Sequence, residues 1–146
     1  MRIRLVFLGK TRNPHLQALI EDYRRRLARF APVEVVEWKS TDGSPRALEE
    51  ARGKKQNAPV VLLDAGGQAF TSEEFAGWLG RQMNSGQKEL VFLLGGAEGF
   101  PEETKRKAST LLSLSRLTLP HELARVVLLE QLYRAFALLR EHPYPK

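Results

Sequence analysis

The sequence predicts an α/β fold, a mostly parallel sheet with helices on both faces. Three observations carry that prediction. Segments of strand character alternate with amphipathic helical segments along all 146 residues. Two strand segments, VVLLD at residues 60–64 and ELVFLL at residues 89–94, are near-continuous apolar runs, as expected of strands covered on both faces. Regular alternation of strand and helix is the pattern of a parallel sheet layered with helices.

The elements follow in order. RIRLVFLG at residues 2–9 is the first strand. NPHLQALIEDYRRRLARF offers Asn13 as a cap, Pro14 at the first helical position, and apolar residues at Leu16, Leu19, Ile20, Tyr23, Leu27 and Phe30, which is helical spacing. VEVVEW alternates as a strand should, and STDGSP punctuates it as a loop. A short helix is expected from Arg46 to about Lys55, then the strand at residues 60–64. TSEE at residues 71–74 fits a capping box, and Phe75, Trp78, Leu79 and Met83 mark one face of the helix it opens. After the strand ELVFLL, PEETKRKAS begins with proline and acids and ends basic, which suits the helix dipole. LLSLSRLTLP is a last short strand and loop, and a long helix follows from about Glu122 to Glu141. The length suits one domain, residues 1–146, with a buried core of its own.

Composition excludes several functions. Without cysteine there are no disulfides and no thiolate chemistry, and His15, His121 and His142 lack metal-ligand spacing, so no metal is expected. No apolar run approaches a membrane span, and residues 1–10 carry no signal-peptide core, so a cytoplasmic protein is expected. The net charge of +6 is unevenly spread. Residues 1–60 hold 13 Lys/Arg against 7 Asp/Glu, whereas residues 61–146 hold 10 of each. Such asymmetry suits a polyanionic partner met from the N-terminal side, although a merely solvated basic surface explains it equally.

Ligands of parallel sheets sit beyond the carboxyl ends of the strands. Three such ends gather candidates: Leu63 with Asp64, the glycine loop at residues 95–99, and residues 115–120, after which His121 opens the final helix. The loop reads GGxxG. Phe100 follows Gly99 where a phosphate-binding P-loop needs lysine, and the first strand ends in LGKTRN, with too few glycines for a dinucleotide fold or the common methyltransferase fold. Glu98 would repel phosphate, so the loop better suits a neutral or cationic ligand, such as the sulfonium of S-adenosylmethionine. A tight turn without any ligand accounts for the same glycines.

LLGGAEGF, LSRLTLPH, ARVVLLEQLYRAF and the terminal HPYPK, in this order, together with the opening MRIRLVFLGKTRN, resemble the ribosomal RNA large subunit methyltransferase H family of the SPOUT (α/β-knot) superfamily. The resemblance covers nearly the whole chain. It implies a homodimer with a C-terminal trefoil knot that transfers methyl from S-adenosylmethionine to N3 of a pseudouridine in large-subunit (23S) rRNA on the assembled ribosome. It places the donor at Leu63, Gly95, Leu114, Ser115, Arg116, Leu117, Thr118 and Leu119. One departure stands out: Pro145 occupies the position of a second family histidine, so no role of that histidine carries over.

Chemistry at N3 requires loss of its proton, and a histidine is the side chain suited to accept it near neutrality. His121 is the candidate, with a purely structural histidine at the helix start as the alternative. Tyr144 could stack on a base and Lys146 could meet a phosphate, where a frayed end would otherwise be expected. His142 could simply mark the helix end. Arg24, Arg25, Arg26 and Arg29 are candidates for rRNA phosphates, spread too widely around a helix for all to face one partner. The last helix is apolar almost all round, which predicts that a two-fold partner covers part of it. The alternatives are a non-enzymatic basic RNA-binding module and a small-molecule nucleotide enzyme.

Overall fold

A computed structural model of the chain describes residues 1–54 and 57–144. Among these, Arg2–Leu8 (β1), Val33–Trp38 (β2), Val60–Ala69 (β3), Glu89–Leu94 (β4) and Thr110–Ser113 (β5) form one sheet in the order β2-β1-β4-β3-β5, every pair parallel. The helices are Pro14–Leu27 (α1), Pro45–Arg52 (α2), Ser72–Met83 (α3), Glu102–Lys107 (α4) and His121–Leu139 (α5).

The period of two along β1 divides the core. Ile3, Leu5 and Phe7 join Ile20 and Leu27 of α1, Phe75 and Leu79 of α3, and Leu129, Leu132 and Phe136 of α5 on one face. Val6 and Leu8 face Ala47, Leu48 and Ala51 of α2 on the other, where Thr104 of α4 donates to the Gly43 carbonyl at 2.6 Å. The expected caps form. Asn13 Oδ1 accepts from the His15 and Leu16 amides, and Thr71 and Glu74 close a reciprocal capping box at 2.8 and 3.1 Å.

Three expectations are revised. Helix α2 stops at Arg52 because Gly53 turns out of the helix at φ 61°, and the expected end at Lys55 lies outside the described residues. Strand β3 runs five residues beyond Asp64. Leu63 and Gln68 both align with Leu112, so residues 64–67 bulge from the ladder before the strand resumes. Gly67 makes this possible: a Cβ there would lie 2.6 Å from the Leu111 carbonyl carbon. Helix α5 is indeed apolar nearly all round, yet α1 and α3 flank it and the sheet lies beneath. The chain therefore buries Val126, Leu128, Leu129, Leu132 and Phe136 by itself, and the outward stripe is Leu123, Val127, Gln131, Arg134 and Leu138. No helix among the described residues is long and apolar enough to cross a membrane.

Candidate active site

The carboxyl ends of β3, β4 and β5 open into one pocket of about 150 Å³. Seven of the eight expected donor residues line it: Leu63, Gly95, Leu114, Ser115, Leu117, Thr118 and Leu119. Arg116 does not. It lies on the exposed outside of a turn held by Ser113 Oγ donating to the Ser115 carbonyl and by the Leu117 amide donating to Ser115 Oγ, both at 2.9 Å. Asp64, gathered with Leu63 as a strand-end candidate, also lines the pocket, and Ala65, Leu112, Ser113 and Ala124 are wall residues that the sequence did not single out.

The glycine loop closes on itself. Phe100 is buried beneath it, the Gly99 amide donates to the Gly96 carbonyl at 3.1 Å, and Gly99 sits at φ 68°. A Cβ on Gly95 would approach the Phe100 ring to 3.1 Å and the Gly99 carbonyl oxygen to 3.3 Å. The need for glycine at 95 thus arises from the loop's own closure, and that closure leaves bare backbone facing the pocket.

The acid of this pocket is Asp64, not Glu98, which points to the neighbouring cleft. Asp64 Oδ1 lies 3.2 Å from Lys105 Nζ, and Oδ2 accepts from the Gly66 amide at 3.1 Å. The hydrogen bond to Asp64 raises the Lys105 pKa, so the ammonium stays charged. Apolar walls, bare backbone and one carboxylate fit a ligand with an apolar part and a cationic centre. A pocket enclosing a whole small ligand spans roughly 300 Å³ or more, so this one takes part of such a molecule and leaves the rest at its open mouth.

His121 is the first residue of α5, follows Pro120, and is half-buried. Its ring makes no hydrogen bond among the described residues, against the reading of a structural histidine. It lines both the pocket and a second cleft of about 610 Å³ on its other side. Gly96 and Gly99 are likewise shared, and Lys10, Arg12, Lys39, Glu98 and Glu122 give the cleft its charge.

Beneath that cleft lies Arg125, a fully buried guanidinium one turn after His121. It donates to Thr11 Oγ1 at 2.7 Å and to the Leu8 carbonyl at 2.9 Å, and stands 4.9 Å from the Phe7 ring centre. Burial lowers its pKa, opposed by Glu37 and Glu122; arginine remains charged even so. Thr11 in turn binds Glu37 through its amide (3.0 Å) and hydroxyl (2.7 Å). Glu122 Oε1 accepts from the amides of Arg12 and Asn13 at 3.1 and 3.0 Å, bonds that hold its pKa below the usual carboxylate value. This clasp escaped the sequence reading. Its one signal was an arginine directly before the apolar run at residues 126–129.

Within one chain Tyr144 is remote from the pocket. Its hydroxyl donates to Glu130 Oε2 at 3.0 Å and lies 3.1 Å from the Tyr23 hydroxyl, while its ring stands edge-on to Tyr133 at 4.7 Å. Glu130 is nine residues after His121 on α5, about 13 Å along the axis. Burial first, then the bonds to Tyr23 and Glu130, raise the Tyr144 pKa, so it is a neutral phenol. The tail is therefore docked rather than frayed as far as Tyr144, with His142 edge-on to Phe30; Pro145 and Lys146 lie outside the described residues. Arg24 pairs closely with Glu21 and Arg26 with Asp22, Arg25 stands at 4.0 Å from Glu21, and Arg29, just past the end of α1, has no carboxylate partner among the described residues; Arg25, Arg26 and Arg29 line a shallow cleft with Tyr133. Among the described residues no group of three or more His, Cys, Asp or Glu could hold a metal ion.

Comparison with known proteins bears on this arrangement. The family described as "Predicted SPOUT methyltransferase" matches residues 1–145. The "Ribosomal RNA large subunit methyltransferase H" of Koribacter versatilis (strain Ellin345) is 42% identical over 146 residues, covering 99% of this chain and 97% of that protein. The protein of the same name from Geobacter sp. (strain M21) is 38% identical, covering 99% and 98%. In structure, a probable methylase family protein from Haemophilus influenzae Rd KW20 superposes with a TM-score of 0.56 at 14% identity, covering 99% of this chain and 72% of that one. At that identity the likeness concerns the fold.

Proposed function

The chain belongs to the SPOUT methyltransferase family, and from that premise we propose that it transfers methyl from S-adenosylmethionine to N3 of a pseudouridine in large-subunit rRNA on the assembled ribosome. The observation that carries this proposal is the convergence of three strand ends on one pocket with a histidine at its rim whose ring makes no hydrogen bond among the described residues. S-adenosylmethionine supplies an electrophilic methyl group on a sulfonium. Leu63, Gly95, Leu114, Ser115, Leu117, Thr118 and Leu119 would hold it, with Asp64 as the complementary charge. Arg116, on the outer side of the same turn, is better placed to meet RNA than donor. His121 would accept the N3 proton of the target base.

Tyr144, as a neutral phenol, can stack or donate a hydrogen bond but does not serve as the base. Its distance from its own pocket supports a two-fold homodimer in which one chain's tail, with Lys146, meets the partner's pocket. Leu117, 78% exposed at the pocket rim, and the exposed Leu138 also support a partner surface. Arg25 and Arg29 would meet rRNA phosphates. The family further implies the trefoil knot, and an rRNA substrate implies the cytoplasm.

Calorimetric titration with S-adenosylmethionine, S-adenosylhomocysteine and ATP tests the central reading. Donor and product bind and ATP does not; ATP alone would indicate a nucleotide enzyme, and no binding a non-enzymatic basic RNA-binding module. Light scattering that finds a monomer at micromolar concentration removes the composite site. His121→Ala should leave a rate that recovers partly as pH rises and the N3 proton is lost unaided.

A further inference from the structure

We propose that the basic cleft on the far side of His121 seats the phosphates of the single-stranded RNA flanking the target nucleotide, through Lys10, Arg12 and Lys39. This rests on the methyltransferase reading for the identity of the nucleotide, and on the following geometry for the rest.

The loop after β1 alternates in direction. Thr11 points inward and is held from three sides, through Glu37, Arg125 and the neighbouring amides bound by Glu122. Lys10 and Arg12, on either side of Thr11, are exposed and line the cleft. Lys39 reaches the same cleft from the end of β2. None of these three side chains makes an ion pair or hydrogen bond among the described residues. Arg24, Arg26, Arg46, Lys105, Lys107 and Arg134 each have a carboxylate partner. Arg29, Arg81, Lys88 and Arg116, like the cleft cations, have none among the described residues, so the cleft is set apart by the convergence of three such cations beside His121. A loop fixed through its backbone and threonine, with its cations left unpaired, is preorganised to meet anions.

The acids of the cleft do not cancel it. Glu122 and Glu37 belong to an inner layer, engaged by backbone amides, Thr11 and the buried Arg125. The outer layer sets Lys10, Arg12 and Lys39 against Glu98 alone. The cleft also shares His121, Gly96 and Gly99 with the methyl-donor pocket. A base delivered to His121 therefore brings its flanking phosphates to these cations. Unstacked single-stranded RNA is what can present a base this way.

The test uses the full-length protein and large ribosomal subunits lacking the methylation. Lys10→Gln/Arg12→Gln/Lys39→Gln should keep its melting temperature and bind S-adenosylmethionine within about twofold of wild type. Its KM for subunits should rise about tenfold or more near physiological salt, with kcat little changed. The dependence of log affinity on log salt should become shallower by about 2, at roughly 0.7 per phosphate on single strands. Arg81→Gln/Lys88→Gln, which removes charge at the opposite, amino-terminal end of the sheet, is the control. A triple variant with wild-type KM and salt slope overturns the proposal, as does an equal loss per charge in the control. Fluorescence anisotropy with a short single-stranded RNA keeps the two readings separable. If wild type fails to methylate but the oligonucleotide still binds through these three residues, the reaction was misassigned and the cleft was not.

Discussion

Replacing Arg125 by methionine keeps a stem of similar length against Phe7 and removes the guanidinium. The buried Leu8 carbonyl then loses its donor, Thr11 loses one of its partners, and Glu37 loses a nearby buried cation. Stranding a buried acceptor costs about 1–3 kcal/mol, and breaking a buried charge cluster by removing one member about 3–5 kcal/mol. Relief from burying the guanidinium, whose Nε has no partner, offsets part of this. A net loss of roughly 3 kcal/mol follows, or about 6–12 °C in Tm for a chain of this size. Urea unfolding with a constant m-value would measure it. Arg125→Lys, which retains charge but not the fork of donors, should fall in between. In a double-mutant cycle, Glu37→Gln should recover about 1 kcal/mol or more in the Arg125→Met background, because it removes the carboxylate left behind. Wild-type stability in Arg125→Met, or strict additivity in the cycle, would refute the view that this cluster is a single coupled unit.

Other outcomes follow from the same geometry. Gly95→Val forces a branched side chain against Phe100 and the Gly99 carbonyl, and donor affinity measured by calorimetry should fall at least about tenfold, or 1.4 kcal/mol; unchanged affinity would remove this loop from the donor site. Tyr144→Phe deletes the bonds to Glu130 and Tyr23 and should cost about 1 kcal/mol in stability; a drop in single-turnover methylation beyond that of a stability-matched core variant would assign the hydroxyl a role in the reaction. The folded pKa of Glu122 is depressed by the Asn13 and Arg12 amides, so its contribution is present above the ordinary glutamate range and is lost as pH falls through the folded value. Amide exchange at Arg12 and Asn13, corrected for intrinsic rates, should accelerate as pH falls below the ordinary glutamate range, and Glu122→Gln should abolish that acceleration; a pH-independent protection factor would count against the bond.

The succession of strands and helices along the chain was legible because each signal was local: Asn13 before Pro14, TSEE before an apolar face, apolar runs for buried strands. The pocket was legible for a related reason, since parallel strands bring their carboxyl ends together whatever their order. The extension of β3 was hidden because the apolar run that marks the strand stops at Asp64, and only the approach of Leu111 shows why glycine belongs inside its continuation. Glu98, the acid the sequence places in the glycine loop, lines the neighbouring cleft, and the carboxylate that lines the pocket, Asp64, belongs to another strand end, which proximity along the chain does not reveal. The clasp at Arg125 joins residues more than a hundred positions apart, so no window along the chain contains it. For Tyr144 the sequence offered stacking on a base, with a frayed end as the alternative, and showed no sign of docking on its own chain, because its partners on α1 and α5 come from the fold.

The order β2-β1-β4-β3-β5 has a consequence for how the chain is made. Arg2 of β1 aligns with Glu89 of β4, and Val60 of β3 aligns with Val91 of the same strand. During synthesis at about 5–20 residues per second, the inner edges of β1 and β3 both wait several seconds for β4, the wedge that joins them. Open strand edges are templates for pairing with other chains, and contacts so distant in sequence make for slow folding. A nascent chain halted before β4 would thus leave one edge of β1 and both edges of β3 open at once, which makes this the interval in which a ribosome-bound chaperone has most to protect.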